Sequence, residues 1–445
     1  MTERPAPLIT RRCSVSPPAA ESDMMIQTSS SSLSVDAGPS VGSRHGRTNP
    51  FLRVFPALAL VLLMAGCEAG SGDAEESARS LDSSGRTFWS SYAEVNWDRV
   101  GRYDSEFHTH PGLGDEQYDP HETIDRYHAE GYRILALAAH DYDIPDDHME
   151  SIYPWTRLSE IYEAIKDVPN PTEDNRTYGE MAGWRPYEDR DPVELGMVSV
   201  EGNEISGPHH MVSLFSSYTD GADSEEETLS VITDLGGIVY FAHPGRYVER
   251  RGLTADWYVD LYRRFDVLIG QAIYNREDNH PGDRAFFDRI VHLLGAERPI
   301  WLFGEDDMHR ETTLGWNRDV ILVEDFRPGS MHPDLPDGSA PDVRVALERG
   351  HTYLWKPNEQ YTRRAFDVVD VQVTEEEIRL VVDREAAVEE IRWITHDPSL
   401  DGSRVIHTGA SIRISHVPVW ARFVRAEIAG EAGTIYLQPM YLIQE

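Results

Sequence analysis

The sequence predicts an α/β fold with a mainly parallel sheet or barrel, followed by a small antiparallel β-sandwich. Three observations carry that expectation. From residue 88 to 356, short apolar runs alternate with segments of helical spacing. Alternation of that kind favours parallel strands joined by crossover helices. After Pro357 the texture changes to period-two alternation, with no convincing helix between the runs. Cysteine is confined to Cys13 and Cys67, so no disulfide framework supports the body of the chain.

The elements follow in order. In the first half "YRILALAAH", "ELGMVSVEGNEIS", "GIVYFAHPG", "DVLIGQAIYN" and "PIWLFGEDDMH" each read as a buried strand that runs into polar residues. Between them, "DPHETIDRYHAEG", "TRLSEIYEAIKD", "EEETLSVITDLGG", "TADWYVDLYRRF" and "RAFFDRIVHLLG" place apolar residues at helical spacing, often closed by a glycine. In the second half "AFDVVDVQVT", "EIRLVVDR", "EEIRWITH", "SIRISHV", "WARFVRAEIAG" and "GTIYLQPMYLI" alternate apolar with polar residues, as half-buried antiparallel strands do. The expected organisation is an α/β unit over residues 88–356 and a sandwich over residues 357–445.

The front of the chain carries a different signal. Twelve apolar or small residues, Phe55 to Gly66, precede Cys67, with Arg47 and Arg53 just upstream. Such a run is too short to span a bilayer, which needs about 20 residues. A basic region, a short apolar region and small residues before a cut describe a secretory signal over residues 1–66. The length of that signal leaves a translation start downstream of Met1 open. Residues 67–87 then read as a flexible tether, because Gly, Ser and acids dominate and Leu81 is the only large apolar residue up to residue 86.

Charge narrows the partners. The formal net charge is -36, and lysine occurs only at Lys166 and Lys356. A field of that sign repels a phosphate-rich polyanion, and no basic stripe opposes it, so no nucleic-acid partner is expected. Solubility or adaptation to a salty habitat accounts for the acidity. Small anionic substrates stay admissible, because bound cations dominate the field locally.

Metal-binding chemistry gathers at the predicted strand ends. "SEFHTH" supplies His108 and His110, with Asp115 following; "ALAAH" ends in His140; "SVEGNE" ends in Glu204, with His210 close behind; "VYFAH" ends in His243; "GEDDMH" holds Asp307 and His309. Residues i and i+2 on a strand share a face, so His108 with His110, and Asp307 with His309, can each bind one ion together. Strand C-termini converge on one face of an α/β barrel, where active sites form. Each piece is weak alone; their recurrence at successive strand ends is specific. Imidazole mixed with carboxylate suits Zn²⁺, Mn²⁺ or Fe²⁺. His209 competes with His210, and His210 is preferred because it opens the apolar run "HMVSLF". Of the remaining histidines, His121 and His128 lie on a helix-like stretch, and the others, among them His280 and His292, have no partner pattern.

This order of residues resembles the PHP family, named for polymerase and histidinol phosphatase. The family's H-x-H-x4-D opening matches His108, His110 and Asp115, and its T-D-H-D strand end matches "LAAHD" at His140. G-x-E-I-S matches Glu204, H-h-h-G (h apolar) matches "HMVS" at His210, A-H-P-x-R matches His243 and Arg246, and D-x-H matches Asp307 and His309. The resemblance spans residues 104–355. Its later parts, with "QAIYN", "VALERGHTY" and the β-tail, are most similar to the hydrolase branch typified by carbaryl-hydrolase-like metalloenzymes.

The resemblance implies a distorted seven-stranded β/α barrel with Glu204 bridging ions. Nine ligands exceed the roughly four to six positions around one ion, so about two to three divalent Zn, Mn or Fe ions per chain are implied. It implies a hydrolase acting on a small-molecule substrate through activated water. A phosphoesterase is the first reading. An amide, carbamate or ester hydrolase at the same centre is the second, and a non-catalytic surface lipoprotein the third. Arg246 either holds a phosphate or carboxylate oxygen or makes a salt bridge at the rim. His243 either ligates or acts as general acid, and both are expected on rim loops. Two positions depart from the pattern: Ala139 stands where the family usually has Asp, and Gln271 where the branch often has Glu.

"LMAGC" resembles the lipobox of bacterial lipoproteins, in which the cysteine is lipidated and becomes the new N-terminus. It implies a lipid anchor in a bacterial cell envelope, with the protein facing the periplasm or the exterior. Cys67→Ser is expected to leave an unlipidated precursor, read by intact-mass spectrometry as loss of the diacylglycerol addition. Wild-type protein that retains residues 1–66 and carries no lipid would refute the anchor.

Overall fold

The computed structural model describes residues 85–111, 118–140, 154–169, 176–180, 185–216, 218, 223–330 and 338–444. Cys67 and Asp115 lie outside the described residues. Among the described ones, no helix is long and apolar enough to cross a membrane.

A short strand, β1 (Arg86–Trp89), comes first. β2 (Gly101–Glu106) leads to α1 (Pro120–Ala129), and β3 (Ile134–Ala136) leads to α2 (Leu158–Ile165) and the single-turn α3 (Pro192–Leu195). β4 (Val198–Val200), β5 (Gly202–Ile205) and β6 (Met211–Leu214) follow, then α4 (Glu225–Leu235), β7 (Ile238–Phe241), α5 (Pro244–Arg251), α6 (Ala255–Arg264), β8 (Leu268–Asn275), α7 (Asp283–Leu294) and β9 (Trp301–Glu305). β10 (Arg318–Val323), β11 (Gly329–Ser330), α8 (Ala340–Arg349) and β12 (Thr352–Pro357) complete this half. The five expected helical segments fall on α1, α2, α4, α6 and α7. Helix α4 illustrates why. The Ser224 hydroxyl accepts from the Glu227 amide at 3.3 Å, Glu225, Glu226 and Glu227 occupy the positive end of its dipole, and Gly236 closes it at φ 76°.

Two sheets carry the α/β half. One has the order β5-β6-β7-β8-β9, antiparallel across β5, β6 and β7 and parallel from β7 to β9. The other contains β11, β4, β3 and β2 as parallel neighbours, then β10 and β12 antiparallel. The α/β class therefore holds, while closure of the expected distorted seven-stranded barrel is not detected among the described residues. Among the described residues the two sheets share no ladder and meet at the isolated bridges Thr109↔Met308 and His140↔Glu204. The reason lies in "VEGNE", expected within one strand, which breaks at Glu201 so that β4 and β5 enter different sheets. Gly202 makes the crossing possible: a Cβ there would lie 2.8 Å from Leu214 Cδ2 and 2.9 Å from the Ser213 carbonyl oxygen.

The core of this half forms where α4, α6 and α7 cover the five-stranded sheet. Val212, Val239, Phe241, Ile273 and Leu302 meet Leu229, Tyr258, Phe287 and Ile290, all fully buried. Each such side chain contributes about 1.5–3 kcal/mol of burial free energy.

The C-terminal half is β13 (Val368–Val373), β14 (Glu377–Val382), β15 (Glu390–Asp397), β16 (Gly402–Thr408), β17 (Ser411–Arg413), β18 (Phe423–Gly430), β19 (Gly433–Leu437) and β20 (Met440–Gln444). The unexpected β16 pairs with β15 alone and is largely exposed, so it carries no clear apolar alternation. These strands pack in two layers, but one layer is not their own. β12 pairs with β10 on one side and β19 on the other, so the sheet that contains β2 runs on through β19, β18 and β20. The small sheet β13-β14-β17 faces it across one buried cluster, in which Val368, Ile378 and Ile412 meet Trp355, Trp393, Ile428 and Ile435.

A buried ion pair ties α7 to this extended sheet. Arg425 on β18 donates to Asp288 Oδ1 at 2.6 Å and Oδ2 at 3.0 Å, and to Glu427 Oε1 at 2.7 Å. Asp288 and Arg425 are 0% and 2% exposed, so removing one partner leaves a charge that water cannot reach. Asp288→Ala is expected to lower the unfolding free energy by about 3–5 kcal/mol in urea titration. A loss below about 1 kcal/mol, the worth of a surface pair, would contradict that account.

Candidate metal centre

The residues proposed from the strand ends converge on one point. His108 and His110 follow β2, where Glu106 Oε1 accepts from the His108 amide at 2.9 Å and the His110 amide donates to the Met308 carbonyl at 2.9 Å. His140 follows β3 and is held beside Glu204 by the bridge between them, in which the Glu204 amide donates to the Ala139 carbonyl at 3.0 Å. His210 immediately precedes β6, His243 follows β7 as the cap of α5, and Asp307 and His309 follow β9. Three non-glycine residues here have positive φ: His243 at 28°, Arg276 at 56° and Asp307 at 43°. Left-handed backbone of this kind costs on the order of 1–3 kcal/mol and persists only where the surroundings enforce it.

Glu204 is the hub. Its Oε1 lies 2.7 Å from His210 Nδ1, 3.1 Å from His243 Nε2 and 3.3 Å from His108 Nε2. Its Oε2 lies 3.0 Å from His140 Nδ1 and 3.3 Å from His110 Nε2. Asp307 forms a second focus, with Oδ1 at 3.3 Å from His110 Nε2, 3.3 Å from His309 Nδ1 and 3.6 Å from His108 Nε2. Its other oxygen accepts from Asn275 Nδ2 at 3.0 Å and lies 3.2 Å from Arg276 Nη2. Four sets can hold an ion: His108, His110 and Asp307; His140, Glu204 and His210; His108, His243 and Glu305; His110, His140 and His309.

Glu305 was not foreseen. Its Oε2 is 2.9 Å from His108 Nδ1, and its Oε1 accepts from the His243 amide at 2.8 Å. The signal was present, because Glu305 precedes Asp307 and His309 at the same period of two. Arg276 and Asn275, at the end of β8, were also missed. Other expectations are refined by position. Neither residue lies on a rim loop: His243 is buried as the cap of α5, and Arg246 sits within α5 and is partly exposed. The side chain of Arg246 forms no ion pair among the described residues, and its nearest aromatic partner is Tyr247 at 6.0 Å. His209 turns away from the centre: its Nδ1 meets the His210 carbonyl at 2.8 Å, its Nε2 meets the Tyr258 hydroxyl at 2.7 Å, and its ring stacks on Tyr247. A carbonyl only accepts, so Nδ1 carries the proton and Tyr258 donates to Nε2. Of the two departures, Ala139 is buried in the core, and Gln271 accepts from the Tyr262 hydroxyl at 3.4 Å towards α6.

The donor chemistry fits cations. His108 Nε2, both ring nitrogens of His110, and His243 Nδ1 are buried and make no hydrogen bond among the described residues. Carboxylate oxygens lie 3.3–3.6 Å from two of those imidazoles. Ligand atoms about 2.1 Å from a shared ion sit about 3.0–3.4 Å apart in octahedral or tetrahedral geometry, a range that contains the three separations of 3.3 Å. Electrostatics agree. Burial opposes charge on His108, yet Glu204, Glu305 and Asp307 hold its imidazole well above the usual range. Burial, with His309 and His140 beside it, pushes His110 well below. Burial would raise the Glu204 carboxyl, but His210, His108 and His140 hold it well below the ordinary carboxylate range. The centre thus sets the carboxylates of Glu204 and Asp307, both held well below the ordinary range, among imidazoles, a donor set suited to borderline divalent ions.

No protein-family model matches the chain, and no curated protein matches it. Among solved structures it is similar to a two-domain protein containing a predicted PHP-like metal-dependent phosphoesterase from Bacteroides vulgatus, at 13% identity over 77% of this chain and 88% of that one, with a TM-score of 0.42. It is also similar to an amidohydrolase from Chromobacterium violaceum, at 15% identity over 46% of this chain and 88% of that one, TM-score 0.30. A third is the lesion-specific endonuclease from Pyrococcus furiosus, at 12% identity over 51% of this chain and 53% of that one, TM-score 0.29. Scores this low assign neither a fold family nor an activity to the chain.

Glu204→Gln is expected to remove more than one bound ion per chain, since both carboxylate oxygens face imidazoles of different sets. Elemental analysis of protein expressed with added Mn²⁺ or Zn²⁺ reads this directly. Loss of a single ion with activity kept would contradict a bridging role.

Proposed function

We propose that this chain is a metal-dependent phosphoesterase whose centre holds about two to three divalent transition ions. The observation that carries the reading is the buried Glu204 carboxylate, with both oxygens facing a ring of five imidazoles. Glu204, Asp307, His108, His110, His140, His210, His243, His309 and Glu305 would hold the ions, with Asp115 a further candidate. Bound there, divalent ions supply Lewis acidity and lower the pKa of a bound water.

The chain's own groups do the rest. Asn275 and Arg276 hold Asp307 by Oδ2 and leave Oδ1 turned to the imidazoles. Glu305 fixes His108 through Nδ1, so that Nε2 is the atom presented to Glu204. Burial of His243 beside Glu204 and Glu305 supports a ligand role over a general-acid role. His210, His309 and Arg246 are partly exposed, which supports their facing an incoming small-molecule substrate. A phosphoryl group spreads transition-state charge over several oxygens, and an arginine fork is suited to meet it. The lipid anchor at Cys67 and a location in a bacterial cell envelope belong to the same proposal, and the signal-like run before Cys67 is their support.

Arg246→Ala is expected to lower kcat/KM for a phosphate ester by roughly tenfold to a thousandfold, about 1.4–4 kcal/mol of transition-state stabilisation. His243→Ala is expected to cost at least as much. The assay compares p-nitrophenyl phosphate, its bis-ester and an aryl carbamate, each with Mn²⁺ and with Zn²⁺. Turnover of the carbamate alone, unaffected by Arg246→Ala, would replace the phosphoesterase reading with a carbamate hydrolase.

A further inference from the structure

Arg276 has no counterpart among the motifs that pointed to the centre. It follows β8 at φ 56°, a conformation that an arginine adopts only under constraint. The constraint is visible on both sides of the residue. Its amide donates to the Glu305 carbonyl at 2.8 Å, and its carbonyl accepts from Asn317 Nδ2 at 2.9 Å and from Lys356 Nζ at 3.5 Å. A strained, clamped backbone sets the direction of the side chain.

That side chain reaches the ligand set. Arg276 Nη2 lies 3.2 Å from Asp307 Oδ2 and 3.5 Å from His309 Nδ1. Among the described residues it is the one arginine or lysine side chain in hydrogen-bond or ion-pair contact with a candidate ligand. A bare ion-pair partner for Asp307 would need one edge of the guanidinium. Arginine offers five N–H donors in a fixed fork. Here Nε is buried without a hydrogen-bond partner, while the side chain as a whole keeps 34% of its exposure. The group is therefore anchored through Nη2, with Nε unpartnered and the side chain as a whole partly exposed, beside the point where the ligands converge.

We propose that Arg276 is the anion anchor of the centre and that it selects phosphate monoesters, whose terminal group carries two negative charges, over diesters. The inference rests on the phosphoesterase reading and deepens it. A monoester presents an additional charged oxygen once its other oxygens face the ions. A guanidinium held at Asp307 and His309 is placed to receive that oxygen by a charge-assisted hydrogen bond. A diester has an alkyl or aryl group there, which the guanidinium cannot bind. Arg276 and Arg246 then have separable roles, because Arg276 is tied to a candidate ligand and Arg246 is not.

The test uses the metal-loaded protein and compares wild type with Arg276→Ala and Arg276→Lys. Four quantities are measured: bound metal, the affinity for inorganic phosphate by titration calorimetry, and kcat/KM for p-nitrophenyl phosphate and for its bis-ester. Arg276→Ala is expected to weaken inorganic phosphate at least tenfold and to cost the monoester at least tenfold more than the diester, with metal content retained. Arg276→Lys is expected to recover part of the phosphate affinity. Equal losses on both esters, unchanged phosphate affinity, or a fall in bound metal would overturn the inference, the last by assigning Arg276 to the support of Asp307. Failure of the underlying reading looks different: wild type would hydrolyse neither ester, while inorganic phosphate still bound through Arg276.

Discussion

The burial of the Glu204 carboxylate is the constraint on which the rest of this structure depends. An ionised carboxylate removed from water costs several kcal/mol unless its oxygens are compensated. Here the compensation comes from His108, His110, His140, His210 and His243, which reach Glu204 from four separate parts of the chain. The ends of β2 and β3, the start of β6 and the end of β7 must therefore meet at one place. That place is also where the two sheets touch, since the bridges at His140↔Glu204 and Thr109↔Met308 fall within the centre. The site is the seam of the α/β half, and a change in one is felt in the other.

The segment that joins the two halves shares in that seam. Asp307 and His309 leave β9 on a loop that is fastened from two directions. From within, Asp306 accepts from the amides of Gly315 at 2.5 Å, Trp316 at 2.9 Å and Asn317 at 2.9 Å, and from the Tyr127 hydroxyl at 2.9 Å. Burial pushes its carboxyl up to about 6 even against those donors. From outside, Gln360 Nε2 donates to the carbonyls of Glu311 at 2.5 Å and Leu314 at 2.6 Å, and the Tyr361 hydroxyl donates to the Glu311 carboxylate. Lys356, at the end of β12, donates to the Trp316 carbonyl at 3.1 Å, and burial lowers it to about 8. The segment that joins the two halves thus holds the loop that carries two candidate ligands.

The candidate site was legible where its pattern is local. His108 with His110, and Asp307 with His309, announce themselves because period two puts both members on one side of an extended chain. The same rule reaches Glu305, but three acids stand together in "GEDDM", and which of them faces inward depends on how β9 lies against β8. Glu305 and Asp307 turn to the imidazoles while Asp306 turns to the backbone of residues 315–317. His209 and His210 are chemically identical neighbours. Only the Tyr247 stack and the Tyr258 hydroxyl on one side, and Glu204 on the other, tell them apart. Arg276 had no motif at all, since its role comes from a positive φ and a contact 31 residues away in sequence with Asp307.

By itself the sequence determined the helices α1, α2, α4, α6 and α7, most strands, the change of texture after Pro357 and most of the imidazole and carboxylate set. Those depend on propensity, capping and periodicity, which act within a few residues. Only the tertiary structure decided that β4 and β5 part company at Glu201, that β6 returns antiparallel, and that β12 joins β10 to β19. Strand partnership is a contact between distant segments, and one apolar run offers the same hydrogen-bonding edge to many partners. The choice among them is made by what the whole fold must bury, and here that includes a carboxylate that needs five imidazoles around it.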